Sequence, residues 1–315
     1  MNQLIWRLHR TQVYFAVGAL AVLTTLLLVT GTTMAHDYRA FLANCTATRS
    51  CSEGAGRLFS GDGSIMDLVN FTLVVPLLFG LFWGAPLLAK ELEDGTHNLA
   101  WTQGVTRRHW MRSNVMWALV AAAMWGAAMA ALVSWWRFPE NAIDSRFGAF
   151  DVQGIVPVAY SVFAVALGIA VGSIFKRVLP AIATTLGVFV AIRVAIGVYV
   201  RPHYLSPISK LLPLSGPNSN GPIGSWTISS GIQGPHGHFY GNSFNLNDVP
   251  KACGTTFGGG SISNSCMSAH GFHQLIIYQP DSRFWAFQGI EAAGFIVMTV
   301  ALIGFAFWRV LSRDA

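Results

Sequence analysis

The chain has 315 residues, of which 53% are hydrophobic and only 11% are charged, against roughly 25% charged in an ordinary soluble domain. A water-soluble enzyme is set aside on those numbers, and an all-α membrane protein is the fold class they leave. The formal net charge of +6 does not call for nucleic acid, because the basic residues gather on one side of the topology that the apolar segments define.

Residues 1–12, "MNQLIWRLHRTQ", put Leu4, Ile5 and Leu8 on one helical side and Arg7 and Arg10 on another. That pattern fits an amphipathic helix lying in the membrane interface, with a plain lead-in to the first span as the alternative. A span needs about 20 mostly apolar residues to cross a hydrocarbon core of about 30 Å. Six segments qualify, near 13–34, 67–89, 114–134, 153–175, 178–200 and 285–308. The first run is too long for the apolar core of a typical signal peptide and reads as a retained span.

An even number of spans places both termini on one side. That side, comprising 1–12, 90–113, 176–177 and 309–315, carries ten Lys or Arg against four acids. The opposite side carries nine of each over far more residues. The densely basic side reads as cytoplasmic, with residues 13–200 forming spans 1–5, 201–284 an extracellular loop domain, and 285–315 span 6 with its tail.

Span 2 contains Pro76 and Pro86, and proline within a helix removes a hydrogen bond and bends it. Span 3 repeats Ala118, Ala122, Gly126 and Ala130, and span 4 repeats Ala164, Gly168 and Gly172. Small residues every four positions let helix backbones approach in lipid, either within one subunit or between two. Arg193 and Glu291 lie inside spans 5 and 6, both roughly 10 Å from the outer end at 1.5 Å per residue. Intramembrane charges are costly unless paired or facing a cavity. The first reading is a salt bridge tying these spans together, and the second is a charge pair facing a pathway that Pro76 also lines.

Cys45 with Cys51 and Cys253 with Cys266 all fall on the outer side. An oxidising compartment turns them into disulfide candidates, local pairs being the simplest of three connectivities. Zinc competes, although neither pair has Cys-x-x-Cys spacing. The Gly- and Pro-rich outer segment also holds "HGH" at 236–238 and "HGFH" at 270–273, two loose pairs that do not compose a ligand set. A membrane enzyme built on these histidines is the weakest functional alternative. No G-x-x-x-x-G-K-[ST] loop, H-E-x-x-H or G-x-S-x-G occurs, so the chain has no nucleotide cradle of that type and no common hydrolase signature. A secondary carrier or channel is the other alternative, although no pair of broken helices in matching positions supports it.

Between spans 2 and 3 lies "ELEDGTHNLAWTQGVTRRHW", residues 91–110. Thr96 is a good N-cap and Gly104 a good stop, so a short helix over 96–103 should lie along the membrane surface. Thr106 can cap the helix entering span 3.

Residues 84–110, "GAPLLAKELEDGTHNLAWTQGVTRRHW", resemble the segment of type-2 ATP-binding-cassette permeases in which an acidic pair and a Gly-Thr lead into Thr-Gln and then Ser/Thr-Arg. Residues 278–310 are similar to the last span of such permeases in actinobacteria. The resemblance implies a coupling helix that docks on a separate ATPase. Glu91 and Glu93 would be the acidic pair before it, Thr96 its start, and Asn98, Leu99, Trp101, Thr102 and Gln103 its docking surface. Gly104 stands where relatives often carry proline.

The resemblance further implies an exporter in a bacterial cytoplasmic membrane with both termini cytoplasmic. It implies two ATPase subunits and a second permease copy, as homodimer or pseudo-symmetric heterodimer. No cofactor is then bound by this chain, ATP and Mg being held by the partner ATPase, and the cargo is small and amphipathic or hydrophobic.

Overall fold

The computed structural model describes residues 2–45, 72–93, 106–141, 145–214, 222, 224–240, 250, 253 and 263–313. Six of its helices are long and apolar enough to cross a membrane: Leu20–Ala43, Thr72–Lys90, Arg108–Trp136, Val156–Phe175, Val178–His203 and Asp281–Ser312. These are spans 1 to 6 below, and the protein is a multi-pass membrane protein.

Span 1 belongs to one uninterrupted helix, Asn2–Cys45. Residues 2–12 therefore continue into the first span as one helix. Nothing in "MNQLIWRLHRTQ" breaks a helix, since it contains neither Gly nor Pro.

Span 4 is the centre of the bundle. Of its most apolar stretch 78% is buried inside the protein, against 17% for span 5 and 22% for span 6. Its small residues let span 2 come close: a Cβ on Gly168 would lie 2.5 Å from both the Gly80 carbonyl oxygen and the Ala85 nitrogen. The small-residue ladder of span 4 thus packs within one subunit. Span 2 winds as a π-helix over Gly80–Gly84, ending two residues before Pro86, whose ring would meet the carbonyl one turn back in a regular helix. Pro76 sits in the first turn of the α-helix Val75–Phe79, where a missing N–H costs little.

At one end of the bundle spans 4 and 5 join through a turn at Lys176 and Arg177, Lys176 taking a left-handed conformation at φ 54°. The other end carries an antiparallel three-stranded sheet, and this corrects the all-α expectation. Strands β1 (Ile208–Pro213), β2 (Trp226–Gln233) and β3 (His273–Gln279) lie in the order β1-β3-β2. Ile208 pairs with Tyr278 and Trp226 with Gln279. β2 and β3 are rich in β-branched and aromatic residues, but Gly- and Pro-rich connections hide the strands among turns in the sequence. Gln279 fastens the sheet to the bundle by donating to the Leu205 carbonyl at 2.7 Å, and Arg283 donates to the Ser206 carbonyl at 2.7 Å.

Candidate functional site

Four charged side chains converge at the sheet end of the bundle, where spans 4, 5 and 6 meet. Arg193 and Arg201 come from span 5, Glu291 from span 6, and Asp151 from the segment leading into span 4. In a regular α-helix a residue eight positions on sits roughly 80° round the axis. The π-helix Ile196–Val200 turns less per residue, and it brings Arg201 back to the face that Arg193 occupies.

Glu291 is the hub, its side chain 0% exposed. Arg201 grips it by two bonds of 2.8 Å, from Nε to Oε2 and from Nη2 to Oε1. Tyr204 donates to Oε2 at 3.1 Å, Tyr160 donates to Oε1, and Arg193 Nη1 lies 3.5 Å from Oε1. Asp151 receives Arg201 Nη2 at 2.5 Å and Arg193 Nη2 at 3.1 Å. The guanidiniums also stack on rings, Arg193 3.4 Å from the Tyr160 centroid and Arg201 4.2 Å from that of Phe150. Two cations and two anions cancel, which is how such a group survives at membrane depth.

Burial pushes the Asp151 carboxyl up, but Arg193 and Arg201 outweigh it and hold the group below the ordinary aspartate range. Burial and the Glu291 charge push the Tyr204 phenol above its usual value. Nearby, Arg146 is held above its usual value by its hydrogen bond to Asp281, the two meeting at 2.5 and 2.8 Å.

Gln288, one turn before Glu291, completes the join. Its Oε1 accepts the N–H groups of Ile155, the N-cap of span 4, at 3.0 Å and of Val156, its first residue, at 2.9 Å, while its Nε2 donates to the Phe150 carbonyl at 2.9 Å. Gly154, at φ 75°, is the residue this closeness allows: a Cβ there would lie 2.7 Å from Gln288 Oε1.

Of the residues singled out from sequence, the structure brings Arg193 and Glu291 together and adds Asp151, Tyr160, Arg201 and Tyr204 to them. Asp151 and Arg201 stand at or just beyond the ends of apolar runs, where they resemble surface charges. The eight-residue spacing of the two arginines was the one available signal. Pro76 is buried and shares with Trp125, Asp151 and Ser161 a cleft of about 10 Å³, room for about one water.

The loop between spans 2 and 3 falls largely outside the described residues. Thr96, Asn98, Leu99, Trp101, Thr102 and Gln103 lie there, as does the side chain of Glu91. Its flanks are placed. Thr106 caps the span 3 helix, its hydroxyl accepting from the His109 N–H at 3.4 Å. Glu93 closes the span 2 helix, Ala85–Glu93, and its Oε2 accepts the Val178 N–H at 2.9 Å. Arg309 of span 6 donates through Nε to the Ser173 carbonyl at 3.1 Å.

Beyond the membrane, Cys253 and Cys266 form a disulfide; Cys51 and the side chain of Cys45 lie outside the described residues. His270 Nδ1 approaches both sulfurs, at 3.4 and 3.7 Å, and also lies 2.9 Å from the Cys266 carbonyl oxygen. With both thiols spent in the disulfide, this trio offers a metal one imidazole.

A family model described as "ABC-2 membrane transporter related" matches residues 17–201, spans 1 to 5 and both arginines of the cluster. No curated protein and no solved structure matches the chain.

Proposed function

The chain belongs to the ABC-2 membrane transporter related family, and from that premise we propose that it is the membrane-spanning permease subunit of an ATP-driven exporter. The family match across spans 1 to 5, which takes in the loop between spans 2 and 3, is the observation that carries the reading. The absence of a phosphate-binding loop from the sequence is consistent with hydrolysis by separate ATPase subunits, two per complex, which hold ATP and Mg. The chain sits in a bacterial cytoplasmic membrane with both termini cytoplasmic, the basic side inward.

In this reading the segment 96–103 docks on the ATPase, with Glu91 and Glu93 preceding it and Asn98, Leu99, Trp101, Thr102 and Gln103 in contact. ATP binding draws the ATPases together, moves that segment and shifts the population between inward- and outward-open states. The pathway lies between two copies of the chain. Pro76 and Arg193 border it only once the spans rearrange, because the cleft beside Pro76 holds no more than a water and Arg193 is engaged by Asp151 and Glu291. A lining supplied by apolar and aromatic spans suits a small amphipathic or hydrophobic cargo.

Co-expression with neighbouring genes and purification in mild detergent test this. An ATPase subunit should accompany the wild-type chain, and Leu99→Asp or Trp101→Asp should remove it without changing the chain's melting temperature. ATPase association unchanged in both variants would show that the docking surface is elsewhere.

A further inference from the structure

Span 5 lays one side, Ala181, Thr185 and Phe189, against the bundle, with Phe189 stacked on Phe163 of span 4, and its charged contacts among the described residues lie toward its two ends. Its most apolar stretch is 17% buried, and at the sheet end Arg193 and Arg201 hold it to Glu291 and Asp151. At the opposite end span 4 stops and span 5 starts within two residues, Lys176 and Arg177. The last carbonyls of one helix and the first N–H groups of the next are therefore left without intrahelical partners at one spot.

Charges from two other spans meet them. Glu93, on the tail of span 2, accepts from the Val178 N–H at 2.9 Å, and Arg309, on span 6, donates to the Ser173 carbonyl at 3.1 Å. Each has the sign that its helix dipole favours, an anion at the N-terminus of span 5 and a cation at the C-terminus of span 4. Glu93 is also the last residue before the 94–105 loop. Spans 2 and 3 are joined to that loop by the chain itself, and span 5 is not.

We propose that Glu93 is the positioning residue that links the loop between spans 2 and 3 to span 5, so that movement of the loop is delivered to the first turn of span 5 through its carboxylate. The inference rests on the reading of that loop as the ATPase-docking element. It makes span 5 the responding helix, pushed at Val178 and restrained at its far end by the four-charge cluster. The bond is exposed, so it can form and break with the position of the loop, whereas the Arg201–Glu291 grip is buried.

Hydrogen exchange on the full chain tests it, with Glu93→Ala and Glu93→Gln variants. In the permease alone, E93A should speed exchange of the Val178 amide and its neighbours, read within a fragment that begins before residue 177, about tenfold, the loss of one charge-assisted bond. E93Q keeps an acceptor oxygen and should change it less. Exchange across 156–175 should be unaltered, which separates the effect from misfolding. In the complex with its ATPase, ATP with vanadate should alter exchange over 178–186 in wild type. E93A should keep the ATPase bound and lose that response.

Equal exchange in E93A and wild type overturns the link, and so does an undiminished nucleotide response in an ATPase-bound E93A complex. A wild-type preparation that carries no ATPase overturns the docking reading itself, whatever the exchange at Val178.

Discussion

Glu291→Gln is the perturbation to which the fold should be most sensitive. It leaves two guanidiniums facing one carboxylate, that of Asp151, whose side chain is 30% exposed. The carboxylate lost is 0% exposed and takes two bonds of 2.8 Å from Arg201 together with the phenols of Tyr204 and Tyr160. Removing one partner of a buried pair costs about 3–5 kcal/mol, and at roughly 2–4 °C per kcal/mol the melting temperature should fall on the order of 10 °C. Asp151→Asn removes a partly solvated charge and should cost about 1–2 kcal/mol, a smaller drop. The double variant Arg201→Met with Glu291→Met clears both charges and should recover part of the loss. Tryptophan fluorescence during heating in detergent reads all three. An E291Q melting point within about 2 °C of wild type, or a larger effect in D151N, would refute the hub assignment.

Three further outcomes follow from the same geometry. Because Asp151 has a lowered carboxyl pKa when folded, it stabilises the protein above the ordinary value of about 3.9 and stops doing so as pH falls through the lower folded value. The melting difference between wild type and D151N should therefore stay constant from about pH 7 to 5 and shrink below about pH 4. Gly168→Leu drives a side chain into the span 2 backbone, which stands 2.5 Å from the Cβ position, and should destabilise by at least about 1–3 kcal/mol. Gly187→Ala, with open space around it, should melt at or slightly above wild type. Cys253→Ser opens a link between residues 13 apart, worth about 3 kcal/mol to the loop domain. Limited proteolysis should cut within 201–284 faster, with the spans unaffected.

The six spans were legible because length and apolarity are properties of single segments. Arg193 and Glu291 were legible for the same reason, as charges inside apolar runs. Asp151 and Arg201 were not, because their burial comes from segments that pack around the ends of the spans. Tyr160 and Tyr204 carry no formal charge and stand out in no count. The π-helix Gly80–Gly84 leaves only a pair of glycines and a following proline in the sequence, and its meaning lies in Gly168 across the interface. The sheet was missed because its strands are brought together from segments up to 60 residues apart across turn-rich connections. The Glu93 bond to Val178 spans 85 positions, and no local pattern announces it.

ATP hydrolysis by the affinity-purified assembly tests the central claim most directly. The tagged chain, co-expressed with neighbouring genes, is expected to bring down a stoichiometric ATPase and to show vanadate-sensitive hydrolysis that Trp101→Asp abolishes by releasing the ATPase. A chain that purifies alone, and whose vesicles move substrate under a proton gradient without ATP, would contradict the account and identify a secondary carrier.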